Sequence, residues 1–276
     1  MSTTAFFVPR TVDEAIELKR EHGKNLVVMG GGTIVMGLVH DGQLFPKLAM
    51  SLARAGMSDV RRRDGQFEIG AATPVARLTE LKGAATLDRA AGMLGGPALR
   101  TLATAGGNLF AKAPYGDLCV PLLAMDAEVE IAGTEGRRTA PLEQFLSRRA
   151  LKNDELVVSI RVPKPRGRGA YLKLGRRQAN TPSVVAVAVQ VVLDGTGKCT
   201  DVRIALGAAA PQAVRAKKAE AALTGRRLDA ASISAAAQAA QAECNPATDS
   251  LASAWYRREM VGVFVRRALD EVGRTI

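Results

Sequence analysis

The sequence predicts an α+β protein, and three observations lead there. A short apolar segment, Leu26 to Met29, runs directly into Gly30-Gly31-Gly32-Thr33, a strand followed by a glycine loop. In mid-chain, LVVSIRV from Leu156 to Val162 is halted by Pro163, and the KPRGRG that follows is too rich in Gly, Pro and Arg for a core element. Beyond that break a run of strands precedes a run of helices, the order of a small sheet backed by helices.

In chain order, Thr11 to Lys24 forms a short amphipathic helix with Val12, Ala15, Ile16 and Leu18 around it. Thr11 is its N-cap, Glu14 completes a capping box and Gly23 stops it. Leu26 to Met29 is a buried strand. Phe67 to Ala71 and Glu128 to Ala132 have strand character, while Pro74 to Leu87 and Arg89 to Met93 read as helical, so the first half is mixed α/β. After the break, Ala170 to Leu174, Ser183 to Leu193 and Thr200 to Leu206 read as strands, the last two joined by the hairpin signal Asp194-Gly195-Thr196-Gly197. Helices follow over Pro211 to Leu223, Asp229 to Glu243 and Ser250 to Val272, with Gly207 to Pro211 as a strand-to-helix turn. Trp255 and Tyr256 on the last helix are expected in core or interface packing.

At 276 residues the chain is long enough for two compact units. Its longest apolar run, Ser183 to Leu193, is about half what a bilayer-spanning helix needs and is interrupted by Gln190, so no membrane span is expected. The N-terminal MSTTAFFVPRTVDEA lacks the basic and apolar regions of a secretory signal, which gives a cytoplasmic expectation. Cys119, Cys199 and Cys244 lie far apart and are too few for an iron–sulfur cluster, so if the protein handles iron–sulfur electrons, the cluster sits on another polypeptide. The net charge of +11 raises nucleic acid as a partner. Against it, the arginines scatter in short groups, as at Arg61 to Arg63 and Arg137-Arg138, and no aromatic residue interleaves with them as a stacking platform. His22 and His40 have no ligand spacing for a metal, and no nucleophile elbow is present.

Two glycine segments bear on chemistry: VVMGGGTIVMG from Val27 to Gly37, and TAGGNLFAKAPYGDL from Thr104 to Leu118. Consecutive glycines let backbone N–H groups converge on a phosphate with no Cβ in the way, and Thr33 adds a hydroxyl. The spacing is neither GxGxxG nor GxxxxGK[ST]. Taken alone, the first loop reads as a tight turn after a strand. The second adds the amide of Asn108 and, nine residues on, Asp117, an acceptor suited to ribityl or ribose hydroxyls. Together the two segments suit a long ligand with a pyrophosphate in its middle.

Strand-GGGT-helix near the N-terminus and T-x-G-G-N-x(8)-D-L in mid-chain resemble the flavin-binding medium subunit of molybdenum-containing hydroxylases, a group that includes carbon monoxide dehydrogenase and the flavin domain of xanthine dehydrogenase. The resemblance continues through ELVVSIRVP, YLKLGRR, GAAAPQAVRAKKAEAALTG and SAWYRREMVGVFVRRAL, and so spans nearly the whole chain. It implies an FAD-binding domain over residues 1–165, with α/β subdomains of roughly 1–54 and 55–165, and a C-terminal α+β domain over 166–276 with a small antiparallel sheet and three helices. It also implies that the backbone of Met29, Gly30, Gly31, Gly32, Thr33, Ile34 and Val35 wraps the FAD pyrophosphate, with Ala103, Thr104, Gly107 and Asn108 on its other side. Asp117 would bind FAD hydroxyls, Val157 would contact the flavin and Lys173 would reach toward the isoalloxazine, with Tyr171 and Arg177 as neighbours that face the ring. Gly30 and Ile34 depart from the family loop, which often has alanine and a polar residue there; backbone-mediated binding survives both changes. The function implied is that of an FAD electron-transfer subunit working with a small iron–sulfur subunit and a large molybdenum-cofactor subunit, with no catalytic side chain or metal of its own. A self-sufficient flavoenzyme and a non-redox protein binding another phosphate ligand are the alternatives.

Overall fold

The computed structural model describes residues 5–149 and 151–274. Residues 1–4 of the N-terminal segment, and the outer limits of the two expected domains, lie outside the described residues. Along the chain the elements are β1 (Ala5–Phe7), α1 (Val12–His22), β2 (Leu26–Met29), α2 (Thr33–His40), β3 (Leu48–Ser51), β4 (Val60–Arg63), β5 (Gln66–Gly70), α3 (Ala85–Gly92), α4 (Pro97–Leu102), α5 (Ala105–Leu109), α6 (Cys119–Ala124), β6 (Glu128–Gly133), β7 (Gly136–Pro141), α7 (Leu142–Arg148), β8 (Leu156–Val162), β9 (Arg168–Gly175), β10 (Ser183–Leu193), β11 (Cys199–Gly207), β12 (Val214–Arg215), α8 (Lys217–Leu223), α9 (Ala230–Glu243) and α10 (Ala254–Arg274). They fall into two compact units, one made of residues 1–77, 97–111 and 127–162, the other of 78–96, 112–126 and 163–276.

The first unit holds two sheets. β1, β3 and β2 pair in parallel in that order, and parallel strands this short require crossovers, which α1 and α2 supply. α1 starts where the sequence says: the Thr11 hydroxyl accepts from Glu14 N at 3.1 Å. The Glu14 carboxylate turns back to Arg10 N at 2.6 Å, one residue earlier than a strict capping box. Ala15 and Ile16 of α1 pack with Leu26, Met50 and Leu52 and with Leu156 and Val158 of the second sheet, so one apolar cluster serves both sheets. The second sheet is antiparallel in the order β4-β5-β8-β6-β7. Its edge strands β4 and β7 carry Arg61 to Arg63 and Arg137-Arg138. Charged edges of this kind resist pairing with another chain, and they hide the strands from a search for apolar alternation.

The second unit is an antiparallel sheet in the order β12-β11-β10-β9. Val185, Val187, Val189 and Val191 of β10 join Ile204 and Leu206 of β11 and Val261, Val265 and Leu269 of α10 in its core. α3 packs on β9, and α6 on β10 and β11. Almost every residue of β10 is buried, which is why the strand reads as an unbroken apolar run. Asp194 turns the β10–β11 hairpin, its carboxylate accepting from Thr196 N at 2.8 Å and Lys198 N at 3.0 Å.

Three expectations need correction. The single helix over Pro74 to Leu87 is a 3₁₀ turn, Val75–Glu80, separated from α3 by Gly83 at φ +99°. The helix expected from Pro211 begins only at Lys217, because Val214 and Arg215 are taken up as β12 against Ala205 and Leu206. The open edge of β11 offers those residues ladder hydrogen bonds that compete with helix. Of the core or interface packing expected for Trp255 and Tyr256, the core half is corrected, since they are 67% and 39% exposed in this chain. No helix among the described residues is long and apolar enough to cross a membrane.

Candidate functional site

In the first unit the glycine segments meet. β2 delivers Gly30 to Gly32 to the start of α2, with Gly32 in the left-handed region at φ +72° as N-cap. A Cβ on Gly31 would overlap the Leu102 carbonyl oxygen, and one on Gly30 would overlap the Thr104 hydroxyl. The glycines therefore let this loop lie directly against the chain running from α4 into α5. Among the described residues, no hydrogen bond uses the backbone N–H of Gly30, Gly31, Gly32 or Thr33. No acidic residue stands in the first turn of α2, and the unpaired N–H groups and the helix dipole both favour an anion there.

The second segment is built differently. Thr104 is the N-cap of α5, its hydroxyl accepting from Gly107 N at 3.1 Å. Ala105 N donates to Thr73 O at 2.9 Å, Gly106 N to Ala71 O at 2.8 Å and Asn108 N to Thr104 O at 3.0 Å. Its main-chain donors are thus spent inside the fold, and what it presents to a ligand is the Thr104 hydroxyl proton and side-chain chemistry. The donor set fits a pyrophosphate: unpaired N–H groups from one loop, a hydroxyl from the other, and no acidic residue in the first turn of α2. Of the remaining predicted residues in this unit, Ala103 is buried with its carbonyl accepting from Val75 N at 2.8 Å. Met29 and Val35 are half-buried, and Ile34 is 42% exposed. Val157 is buried on β8, against which α5 packs.

The second unit brings Asp117 and Lys173 together. Asp117, just ahead of α6, accepts from Lys173 Nζ at 2.6 Å on one carboxylate oxygen and from Ser183 Oγ at 2.5 Å on the other. Lys173 Nζ also donates to Met93 O at 3.1 Å. The Lys173 side chain is 3% exposed and that of Asp117 8%, so this is a buried ion pair whose other lone pairs must be met by neighbours or by a ligand. Tyr171, two residues before Lys173 on the same face of β9, is fully buried, and its hydroxyl has no partner among the described residues. Burial, and then the Asp117 charge, push its pKa well above the ordinary value, so it stays a neutral donor. Arg177 is exposed and donates to Asn180 O at 3.0 Å. Ser183 and the Met93 carbonyl were not anticipated. Ser183 had a faint signal as a polar residue opening an apolar strand after Pro182, whereas a backbone carbonyl leaves none.

The comparisons with known proteins agree with this architecture. Residues 2–165 match the family described as FAD binding domain in molybdopterin dehydrogenase, and residues 170–272 the CO dehydrogenase flavoprotein C-terminal domain. The chain is 30% identical to the alpha subunit of the 6-hydroxypseudooxynicotine dehydrogenase complex of Paenarthrobacter nicotinovorans, over 96% of this chain and 92% of that protein. It is 30% identical to the carbon monoxide dehydrogenase medium chain of Hydrogenophaga pseudoflava, over 96% and 95% of the two chains. Among solved structures, a carbon monoxide dehydrogenase of Hydrogenophaga pseudoflava lacking the Mo-pyranopterin moiety superposes with a TM-score of 0.92 at 29% identity, covering 98% of this chain and 96% of that one. The chain therefore belongs to the FAD-binding flavoprotein family of the molybdopterin dehydrogenases, an oxidoreductase family, and its cofactor is FAD.

Proposed function

We propose that the chain is the electron-transfer subunit of a molybdenum hydroxylase, carrying electrons from iron–sulfur clusters on a small partner subunit to an external acceptor, while a large molybdenum-cofactor subunit oxidises the substrate. The observation that carries this reading is the run of unpaired N–H groups from Gly30 to Thr33 against the Thr104 hydroxyl, in a chain of this family. In this reading residues 1–165 form the FAD domain. The backbone from Met29 to Val35 wraps the pyrophosphate, with Ala103, Thr104, Gly107 and Asn108 opposite. Asp117 takes FAD hydroxyls on its remaining lone pairs, and Val157 and Lys173 border the flavin. The assembly works in the cytoplasm.

Bound FAD supplies the redox chemistry. The protein's own part is to stabilise the pyrophosphate with main-chain N–H groups, to orient hydroxyls on a carboxylate fixed by Lys173 and Ser183, and to keep water off buried polar groups. The chain as purified is expected to show a flavin spectrum and to be reduced by a chemical donor, yet to turn over no organic substrate until iron–sulfur and molybdenum subunits are added. Steady substrate oxidation by this chain and FAD alone, with metals chelated, would establish a self-sufficient flavoenzyme instead.

A further inference from the structure

Arg257, on α10, is 2% exposed and is the largest fully buried side chain in the described protein. A buried guanidinium needs its charge paired and its donors used; here the two terminal nitrogens meet that need, while Nε is buried with no partner among the described residues. One terminal nitrogen binds both Asp249 carboxylate oxygens at 2.7 Å, and the other donates to Val184 O at 2.6 Å, with longer bonds to Ser183 O at 3.3 Å and Ala208 O at 3.4 Å.

Val184 is where β10 breaks register. Pairing with β9 shifts between Ser183 and Val185, and both Val184 and Val185 belong to the core cluster on the helix side of the sheet. Side chains alternate along a strand, so without the bulge Ser183 would point to that same helix side, with Val185, Val187 and Val189. Its hydroxyl instead reaches Asp117, on the side where Lys173 lies. A bulge is a device for re-aiming a side chain, and here Arg257 occupies the carbonyl at the bulged residue. A continuous polar path then runs from Asp249 through Arg257 and the bulge to Ser183, Asp117 and Lys173.

We propose that Arg257 is a positioning residue for the flavin site: by clamping the β10 bulge it turns Ser183 onto Asp117 and so fixes the carboxylate that meets the FAD hydroxyls. The proposal rests on the reading of Asp117 given above. It is tested by titrating FAD onto the full chain in four single variants, Ser183→Ala, Asp249→Asn, Arg257→Lys and Asp117→Asn, and in the double variant Ser183→Ala/Asp249→Asn, and recording the flavin spectrum, the flavin midpoint potential and, separately, Tm.

Ser183→Ala leaves the carbonyls that Arg257 holds and is expected to weaken FAD binding about tenfold, the worth of one hydrogen bond to a charged group, with a shifted flavin spectrum and potential. Asp249→Asn loosens the clamp without removing the arginine and is expected to give the same spectral shift. The double variant Ser183→Ala/Asp249→Asn is expected to bind FAD no more weakly than Ser183→Ala alone, because both act on one path. These two variants decide the matter even when Arg257→Lys does not fold. Wild-type FAD affinity and spectrum in Ser183→Ala, with binding weakened in Asp117→Asn, would overturn the positioning path and leave the flavin reading standing. An additive double variant would reduce Arg257 to a purely structural role. Unchanged FAD binding in Asp117→Asn would overturn the reading of Asp117 and the proposal with it.

Discussion

In the first glycine segment the N–H groups of Gly30 to Thr33 donate to no described residue, whereas in the second Ala105, Gly106 and Asn108 donate to Thr73, Ala71 and Thr104. As sequence the two segments are nearly interchangeable, each a glycine run beside a threonine and a short helix. In the fold they divide the work. One keeps its donors open, and the other spends them on packing so that its threonine hydroxyl can face the first. Glycine content alone therefore does not mark a phosphate site; what matters is which main-chain donors the fold leaves unpaired.

The largest expected effect that tests this contrast is in amide hydrogen exchange. Adding FAD to the flavin-free chain should slow exchange at Gly30 to Thr33 by about tenfold or more, since each gains a partner, and should leave the already bonded Ala105 and Gly106 nearly unchanged. Protection that rises at Ala105 and Gly106 instead would break the contrast.

A smaller effect is expected from Gly106→Val. Its Cβ would lie 2.7 Å from Ala71 Cβ and 2.8 Å from Ala71 O, an overpacking that costs about 1–3 kcal/mol. Tm should fall while the folded fraction keeps its FAD, as read by flavin absorbance per folded molecule. Selective loss of FAD without loss of Tm would mean that the second segment meets the ligand through its main chain after all. Gly31 cannot separate the two roles, because any side chain there strikes the Leu102 carbonyl before it meets a ligand.

The smallest effect provides a control away from both loops. A side-chain bond from Arg138 holds the Glu155 carboxyl below its ordinary pKa, burial opposes the shift, and Lys152 N adds to it. A folded pKa below the unfolded one gives stability that is present above the unfolded value and lost as pH falls through the folded one. Acid titration should therefore lower Tm more steeply in the wild type than in Glu155→Gln, with FAD content per folded molecule the same in both. Equal slopes would show that the Arg138 pair contributes nothing to stability.

Local chemistry made part of this legible in advance. The Thr11 cap, the strands Leu26 to Met29, Leu156 to Val162 and Ser183 to Leu193, and the hairpin at Asp194 stand where the sequence puts them. Each depends on residues within a few positions of one another: a hydroxyl before a helix, an apolar run before a glycine or proline, an Asp-Gly turn. The Arg-bearing strands β4 and β7 were invisible because an edge strand can keep polar side chains, so no alternation marks it.

The glycine motifs and the identities of Asp117 and Lys173 were likewise sequence-level information. The pairing of Asp117 with Lys173 and Ser183, 56 and 66 residues away, was decided by the tertiary structure. So was the facing of Ser183. Strict alternation would turn its hydroxyl into an apolar core, and only the bulge at Val184, held by a helix more than 70 residues further along the chain, directs it to the carboxylate. Periodicity fixes which faces a strand has, but the register that assigns each residue to a face is set by what packs on them.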